Sequence, residues 1–210
     1  MDTVLAVKFF GALFAIMNPI TNLPIFLSLT EGEPAAVQRK VAVKVVVYSL
    51  IMGAVIAAAG PQVLKLFGIT VDDMRVAGGL VVLKIGLDML QGSGNASHHG
   101  SQAEQANYPD PADVAFYPMA FPMIIGPGTI TTLIVFFGQA DTAAEPLALA
   151  VVFLGVLGLL GVVLFFAGAL GQWLSDTARV IMGRLMGMIL AAIAVEMIAT
   201  GLKALLPGLT

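Results

Sequence analysis

Two stretches of this chain carry residue types that a regular helix avoids. The first is Asn18-Pro19-Ile20-Thr21-Asn22-Leu23-Pro24; the second runs through Pro118, Pro122 and Gly126-Pro127-Gly128 to Thr129. Each proline removes a backbone hydrogen bond and clashes with the preceding turn. A break leaves unpaired N–H groups at one new helix end and carbonyls at the other. The N–H end attracts a carboxylate, and the carbonyl end attracts an ammonium or another cation. Two such breaks meeting could bind a zwitterion without a charged side chain. Asn18 and Asn22 are four residues apart and share a face wherever helix persists. Their amides can contact a ligand or cap the freed backbone groups. Thr129, Thr131 and Thr132 follow the second break and can cap the new helix start or touch the ligand.

Ionisable residues within the apolar stretches include Lys84, Asp88 and Glu196. Such residues are functional candidates in a membrane. Glu196 lies deepest and could carry a coupling proton or satisfy a backbone break as a neutral acid. Asp88 is a second candidate for proton coupling, although it lies near a span end and could pair with Lys84, four residues before it. Lys8 and Lys44 lie near enough to span ends for their ammonium groups to reach the interface. The pair His98-His99 has only Glu104 nearby as a further ligand and reads as part of a solvated loop, so no metal site is expected. With both histidines in that loop, serine–histidine hydrolysis has no intramembrane base. An acid dyad would need Asp88 beside Glu196. The chain is therefore expected not to be an enzyme and to need no cofactor beyond a coupling H+ or Na+.

The elements that position these residues follow from composition. Of 210 residues, 59% are hydrophobic and 11% charged, against roughly a quarter charged in ordinary globular chains. The 23 charges (10 basic, 13 acidic) are too few to clothe a soluble particle. A net charge of −3 without a basic cluster argues against nucleic acid. The absence of cysteine excludes disulfides and thiolate chemistry. The partner implied is the lipid bilayer. A helix crosses it in about 20 residues. Six stretches qualify: Val4 to Leu29, Val41 to Phe67, Met74 to Leu90, Val114 to Gly138, Leu147 to Gly171 and Val180 to Leu206. Asp2 is the first charge, so a basic signal-peptide start is not expected. Arg39, Lys40, Lys44, Arg179 and Arg184 border one set of loops, which places both termini outside and the long loop in the cytoplasm. Gly155, Gly158 and Gly161 form one small-residue stripe, and Gly183, Gly187 and Ala191 another. Both are expected to pack helices closely, with a dimer face as the sharper alternative.

The two halves resemble each other. At an offset of 103, Pro19 falls on Pro122 and Pro24 on Pro127. Arg75-x-x-Gly78 matches Arg184-x-x-Gly187, and Leu87-Asp88-Met89-Leu90 matches Val195-Glu196-Met197-Ile198. The expected fold is all-α: a polytopic membrane protein of six transmembrane helices in two inverted 3+3 repeats, with the first and fourth helices broken. Repeat 1 is residues 1–90, the polar connecting loop 91–113, and repeat 2 residues 114–210. Interrupted helices in corresponding positions of inverted repeats point to a transporter binding site.

Asn18 through Thr30 resembles the signature of the MarC family of bacterial and archaeal inner-membrane proteins. So do Ala77-Gly-Gly-Leu80, Ile85 through Leu90, Pro118 through Gly128, and Arg184-Leu-Met-Gly187 through Gly201. That family is related to LysE-type amino-acid exporters, and its members called SnatA transport small neutral amino acids, chiefly glycine and alanine. The resemblance implies a multi-pass protein of the prokaryotic inner membrane. It implies binding at Asn18, Pro19, Thr21, Asn22 and Pro24 and at Pro122, Gly126, Pro127, Gly128 and Thr129. The function expected is secondary transport of a small neutral amino acid, with a second copy of the chain as a candidate partner in a homo-oligomer. A passive small-solute channel and a membrane scaffold without transport are the alternatives.

Overall fold

A computed structural model of the chain describes residues 3–91, 113–140, 142, 144–171, 175–206 and 208. The connecting loop at 92–112, with His98, His99 and Glu104, lies outside the described residues. All regular structure among the described residues is helical.

Helix α1 (Thr3–Met17) ends at Asn18, and α2 (Pro19–Leu29) starts directly after it. Proline suits that first helical position because it has no N–H to leave unpaired. The expectation of a stretch irregular from Pro19 to Pro24 is corrected here: Pro24 lies inside α2, and the chain breaks at Asn18 alone. Helix α3 (Ala35–Leu66) follows a short turn. Its 32 residues span about 48 Å, longer than the hydrocarbon core.

Helix α4 (Val71–Gln91) opens with a capping box. The Thr70 N–H and Oγ1–H donate to Asp73 Oδ2, and the Asp73 N–H donates back to Thr70 Oγ1. Donation from the Thr70 hydroxyl, then from its backbone N–H, holds the Asp73 carboxyl below the usual carboxylate range.

The fourth stretch is broken as expected, but differently from the first. Asp113–Ala115 is a 3₁₀ turn. Phe116–Ile124, called π1 here, is wound as a π-helix with extended backbone at Tyr117 and Phe121, the residues that precede Pro118 and Pro122. Helix α5 (Pro127–Gly138) leaves π1 at a bend of 53°. Helices α6 (Glu145–Phe165), the single turn α7 (Ala167–Leu170) and α8 (Asp176–Leu205) complete the chain.

By length and composition, four segments can cross a membrane: Val4–Leu29, Ala35–Leu66, Glu145–Phe165 and Val180–Leu205. The bent pair π1–α5 is a fifth if it counts as one span. Helix α4 has the length, about 31 Å, but carries Asp72, Asp73, Arg75, Lys84 and Asp88. Four of those five charges are paired internally: Arg75 with Asp72 at 2.5 Å and Lys84 with Asp88 at 2.9 Å.

Packing gathers these helices around one large core. Phe9, Leu13, Met17, Phe26, Met119, Ile124, Leu133 and Leu160 are fully buried there. A smaller cluster of Ile16, Val82, Ile85, Met89, Leu190 and Ala194 joins α1, α4 and α8. Helices α4 and α8 run antiparallel in close contact along their length. Glycine makes that approach feasible: a methyl group on Gly86 would meet the Gly187 oxygen and the Ala191 nitrogen at 2.9 Å. Gly187 therefore packs as expected. The other stripe does not behave as one face: a methyl on Gly161 would touch Val46, whereas Gly155 and Gly158 look into open space. The outer surface of α3, α6 and α8 is apolar, with Val47, Ile51, Val55, Val151, Leu154 and Leu185 exposed, as a lipid-facing surface requires.

Candidate functional site

Asn18 adopts φ 20° and ψ 88°, a conformation that asparagine tolerates better than most residues with a Cβ. This reversal ends α1 and starts α2 within one residue. Its N–H still donates to the Phe14 carbonyl at 2.9 Å, so α1 is bonded to its last position. Its Oδ1 accepts from the Ile20 and Thr21 N–H groups at 3.2 and 3.3 Å, as an N-cap does. Thr21 Oγ1 donates to the Asn18 carbonyl at 3.1 Å. Asn22 works on the other helix end: its Nδ2 donates to the Met17 carbonyl at 2.6 Å and to the Asn18 carbonyl at 3.3 Å. Each asparagine thus spends half of its amide on the break.

The remaining halves are Asn18 Nδ2 and Asn22 Oδ1. Neither has a hydrogen-bond partner, and the residues are only 1% and 2% exposed. Backbone chemistry fixes which atom is left over. The Asn18 oxygen must face two N–H donors, so its free end is the donor NH2. The Asn22 nitrogen must face two carbonyls, so its free end is the acceptor oxygen. Buried polar groups without partners are rare, and each one calls for an explanation.

At the second break, Gly126 is extended (φ −94°, ψ −175°) and Pro127 occupies the first position of α5. Gly126 brings no side chain to cap the helix start. Thr129 was expected to cap α5 or touch a ligand. Rather than capping α5, its hydroxyl satisfies the carbonyl end of π1, with Oγ1 donating to the Ile124 carbonyl at 2.6 Å. Pro122 lies inside π1, in the wound half of the broken segment. Gly128 is pressed against neighbouring helices: a methyl there would meet Ile85 at 2.9 Å and Ile16 at 3.6 Å. Ile16 is two residues before Asn18, and Gly128 two after Gly126, so the two breaks lie at one level. Thr131 covers Gly78 of α4. Thr132, fully buried, has a hydroxyl with no partner. Of the three threonines, sequence reasoning placed only Thr129 in the site. The unpartnered Thr132 was separable from it only once the helix faces were known.

The ionisable candidates form ion pairs. Asp88 pairs with Lys84, as their spacing suggested. Glu196 takes a partner that no local pattern indicated: Lys8 Nζ donates to Glu196 Oε1 at 2.5 Å, across 188 residues of sequence. Lys8 therefore does not simply reach for the interface. Among the described residues, no group of three His, Cys, Asp or Glu side chains could hold a metal.

Comparison with known proteins agrees with this architecture. The model of the MarC family of integral membrane proteins matches residues 3–206. The UPF0056 membrane protein MJ1677 of Methanocaldococcus jannaschii is 34% identical over 203 residues, covering 97% of this chain and 98% of the relative. The UPF0056 membrane protein YvbG of Bacillus subtilis is 34% identical over 207 residues, covering 97% of each chain. The UPF0056 membrane protein YhcE of Escherichia coli is 30% identical over 206 residues, covering 96% of this chain and 94% of the relative. No solved structure matches the chain. With a family model spanning nearly every residue and full-length relatives in both bacteria and archaea, the chain belongs to the MarC family of integral membrane proteins.

Proposed function

We propose that this protein is a secondary transporter of small neutral amino acids, of the glycine and alanine class, which binds the zwitterion between the two helix breaks. The observation that carries this reading is the pair of leftover amide ends. Asn18 Nδ2 is a donor suited to a carboxylate, and Asn22 Oδ1 an acceptor suited to an ammonium; both are buried and unpartnered. The start of α5, uncapped by Gly126, adds N–H groups for the carboxylate. Thr132 Oγ1, one helical turn beyond Gly128 on α5, is a further buried polar atom without a partner. The residues next to the breaks in sequence, Met17, Leu23 and Ile124, are buried and apolar. Apolar surroundings of this kind favour a neutral side chain over a charged one.

The six-span inverted repeat accompanies this proposal. In it, α1–α2 corresponds to π1–α5, α3 to α6 and α4 to α8. The contacts between α3 and α6 and between α4 and α8 support it, because a two-fold relation would bring each helix against its own counterpart. The protein is read as a multi-pass component of the prokaryotic inner membrane, with both termini outside. A carrier is favoured over a passive channel because the asparagines are buried, whereas a standing pore would leave them wet. Transport needs no enzymatic step. H+ or Na+ is the proposed coupling ion, with Glu196 and Asp88 as the carboxylates available to a proton.

The test is uptake of labelled glycine or alanine into liposomes holding the purified protein. Wild-type protein is expected to show saturable uptake. Asn18→Ala and Gly126→Leu are each expected to reduce it at least tenfold, provided size-exclusion chromatography still shows folded protein. Full uptake by both variants would remove the proposed site.

A further inference from the structure

The Lys8–Glu196 pair lies well away from the breaks. Ten residues, about 15 Å of helix, separate Lys8 from Asn18 on α1. The pair borders a cavity of about 240 Å³ that is also lined by Arg75, Gln139 and Thr200. A second cavity of about 540 Å³ adjoins it, sharing Arg75, Gln139 and Thr200 and adding Asp72 and Glu145. Together they form a polar vestibule at the end of the molecule where α1 and α4 begin and α5 and α8 finish. Phe9 and Phe136 lie below it, with ring centres 5.1 Å apart, and Leu13 and Leu133 follow one turn deeper. All four are buried, so an apolar plug separates the vestibule from Asn18.

The vestibule is charged with both signs at close quarters. The smaller cavity brings Lys8 and Arg75 together with Glu196, and its volume matches roughly eight waters. Lys8 and Glu196 are each about half exposed, which keeps their mutual bond weak and replaceable. Charge balance then selects the guest. An anion inserted between them would strand Glu196, and a cation would strand Lys8. A molecule carrying one ammonium and one carboxylate leaves every charge paired. Arg75 gives one N–H to Asp72 and has a guanidinium with five donors in all.

We propose that this vestibule is a second, outer binding site for a zwitterionic amino acid, whose ammonium takes Glu196 and whose carboxylate takes Lys8 and Arg75. The proposal rests on the amino-acid transport reading given above and adds a station to it. By exchanging partners in this way, the substrate unties α1 from α8 directly above the Phe9–Phe136 plug.

Equilibrium dialysis of labelled glycine against the full-length protein in nanodiscs tests the proposal. Wild-type protein is expected to bind two equivalents. Glu196→Gln is expected to weaken one of them tenfold or more, the loss typical of a charged hydrogen bond, while leaving the other. Asn18→Ala should remove that other equivalent. Thr200→Phe fills the cavity without touching a charge and is expected to reproduce the Glu196→Gln result, so a poorly folding Gln variant does not block the test. Acetate and methylammonium should each compete at least tenfold less well than alanine for the equivalent that depends on Glu196. A single equivalent that is lost in Asn18→Ala and indifferent to Glu196→Gln and Thr200→Phe overturns the outer site and leaves the site at the breaks standing. A single equivalent that depends on Glu196 and not on Asn18 supports the vestibule and overturns the site at the breaks. No saturable binding overturns both.

Discussion

Asn18 does two jobs that can be separated by substitution. Its backbone takes a positive φ, and its side chain caps α2 while presenting a spare NH2. Asn18→Ala loses the cap and strains the backbone, and is expected to cost about 0.5–2 kcal/mol. Asn18→Gly relieves the backbone and is expected to cost only a few tenths of a kcal/mol. If the amide contacts substrate, both variants lose glycine uptake equally despite their different stabilities. Denaturation midpoints read beside uptake would check this, and uptake that tracks stability would reduce Asn18 to a cap. The residue types and their spacing announced that Asn18 and Asn22 are special. Which half of each amide stays free was not legible in the sequence, because it depends on the backbone groups each one meets.

At the scale of elements, the α4–α8 pair is the least tolerant contact. Gly86 and Gly187 set the backbones against each other, so a Cβ there meets backbone atoms that cannot swing aside. Gly86→Ala is expected to destabilise by about 1–3 kcal/mol. Gly155→Ala on α6 faces open space and is expected to be neutral or stabilising by up to about 1 kcal/mol, since alanine is the better helix former. Thermal unfolding of the two variants in one detergent measures the contrast; equal midpoints would contradict the packing described. The glycine stripes read alike in sequence. Only the packing distinguishes them, because a small-residue face says that a close approach is allowed and not that a neighbour takes it.

At the scale of the whole molecule, the spans set the topology. The chain has no cysteine, so single-cysteine variants report without background. Glu33→Cys, between α2 and α3, and Ile69→Cys, between α3 and α4, lie at opposite ends of one long helix. A membrane-impermeant thiol reagent added to intact cells is expected to label Ile69→Cys and spare Glu33→Cys until the membrane is opened. The reverse pattern would invert the orientation, and labelling of both would remove α3 as a span. The same helix arrangement ties the first and last spans through Lys8 and Glu196, joining the two ends of the chain in one vestibule.

Composition by itself determined that this is a helical membrane protein, because so few charges cannot cover a water-facing surface. The prolines with their asparagine and glycine neighbours determined that the first and fourth stretches break, because the missing N–H groups are a property of the chain. Sequence overextended the first break to Pro24: α2 runs on through that proline, which leaves the Ile20 carbonyl without its helical donor but does not end the helix. The tertiary structure alone decided the rest. It brought the breaks to one level through Ile16 and Gly128, left Thr132 rather than Thr129 without a partner, and paired Lys8 with Glu196. Those outcomes depend on which faces of distant helices meet, and helical periodicity fixes a residue's face without naming its partner.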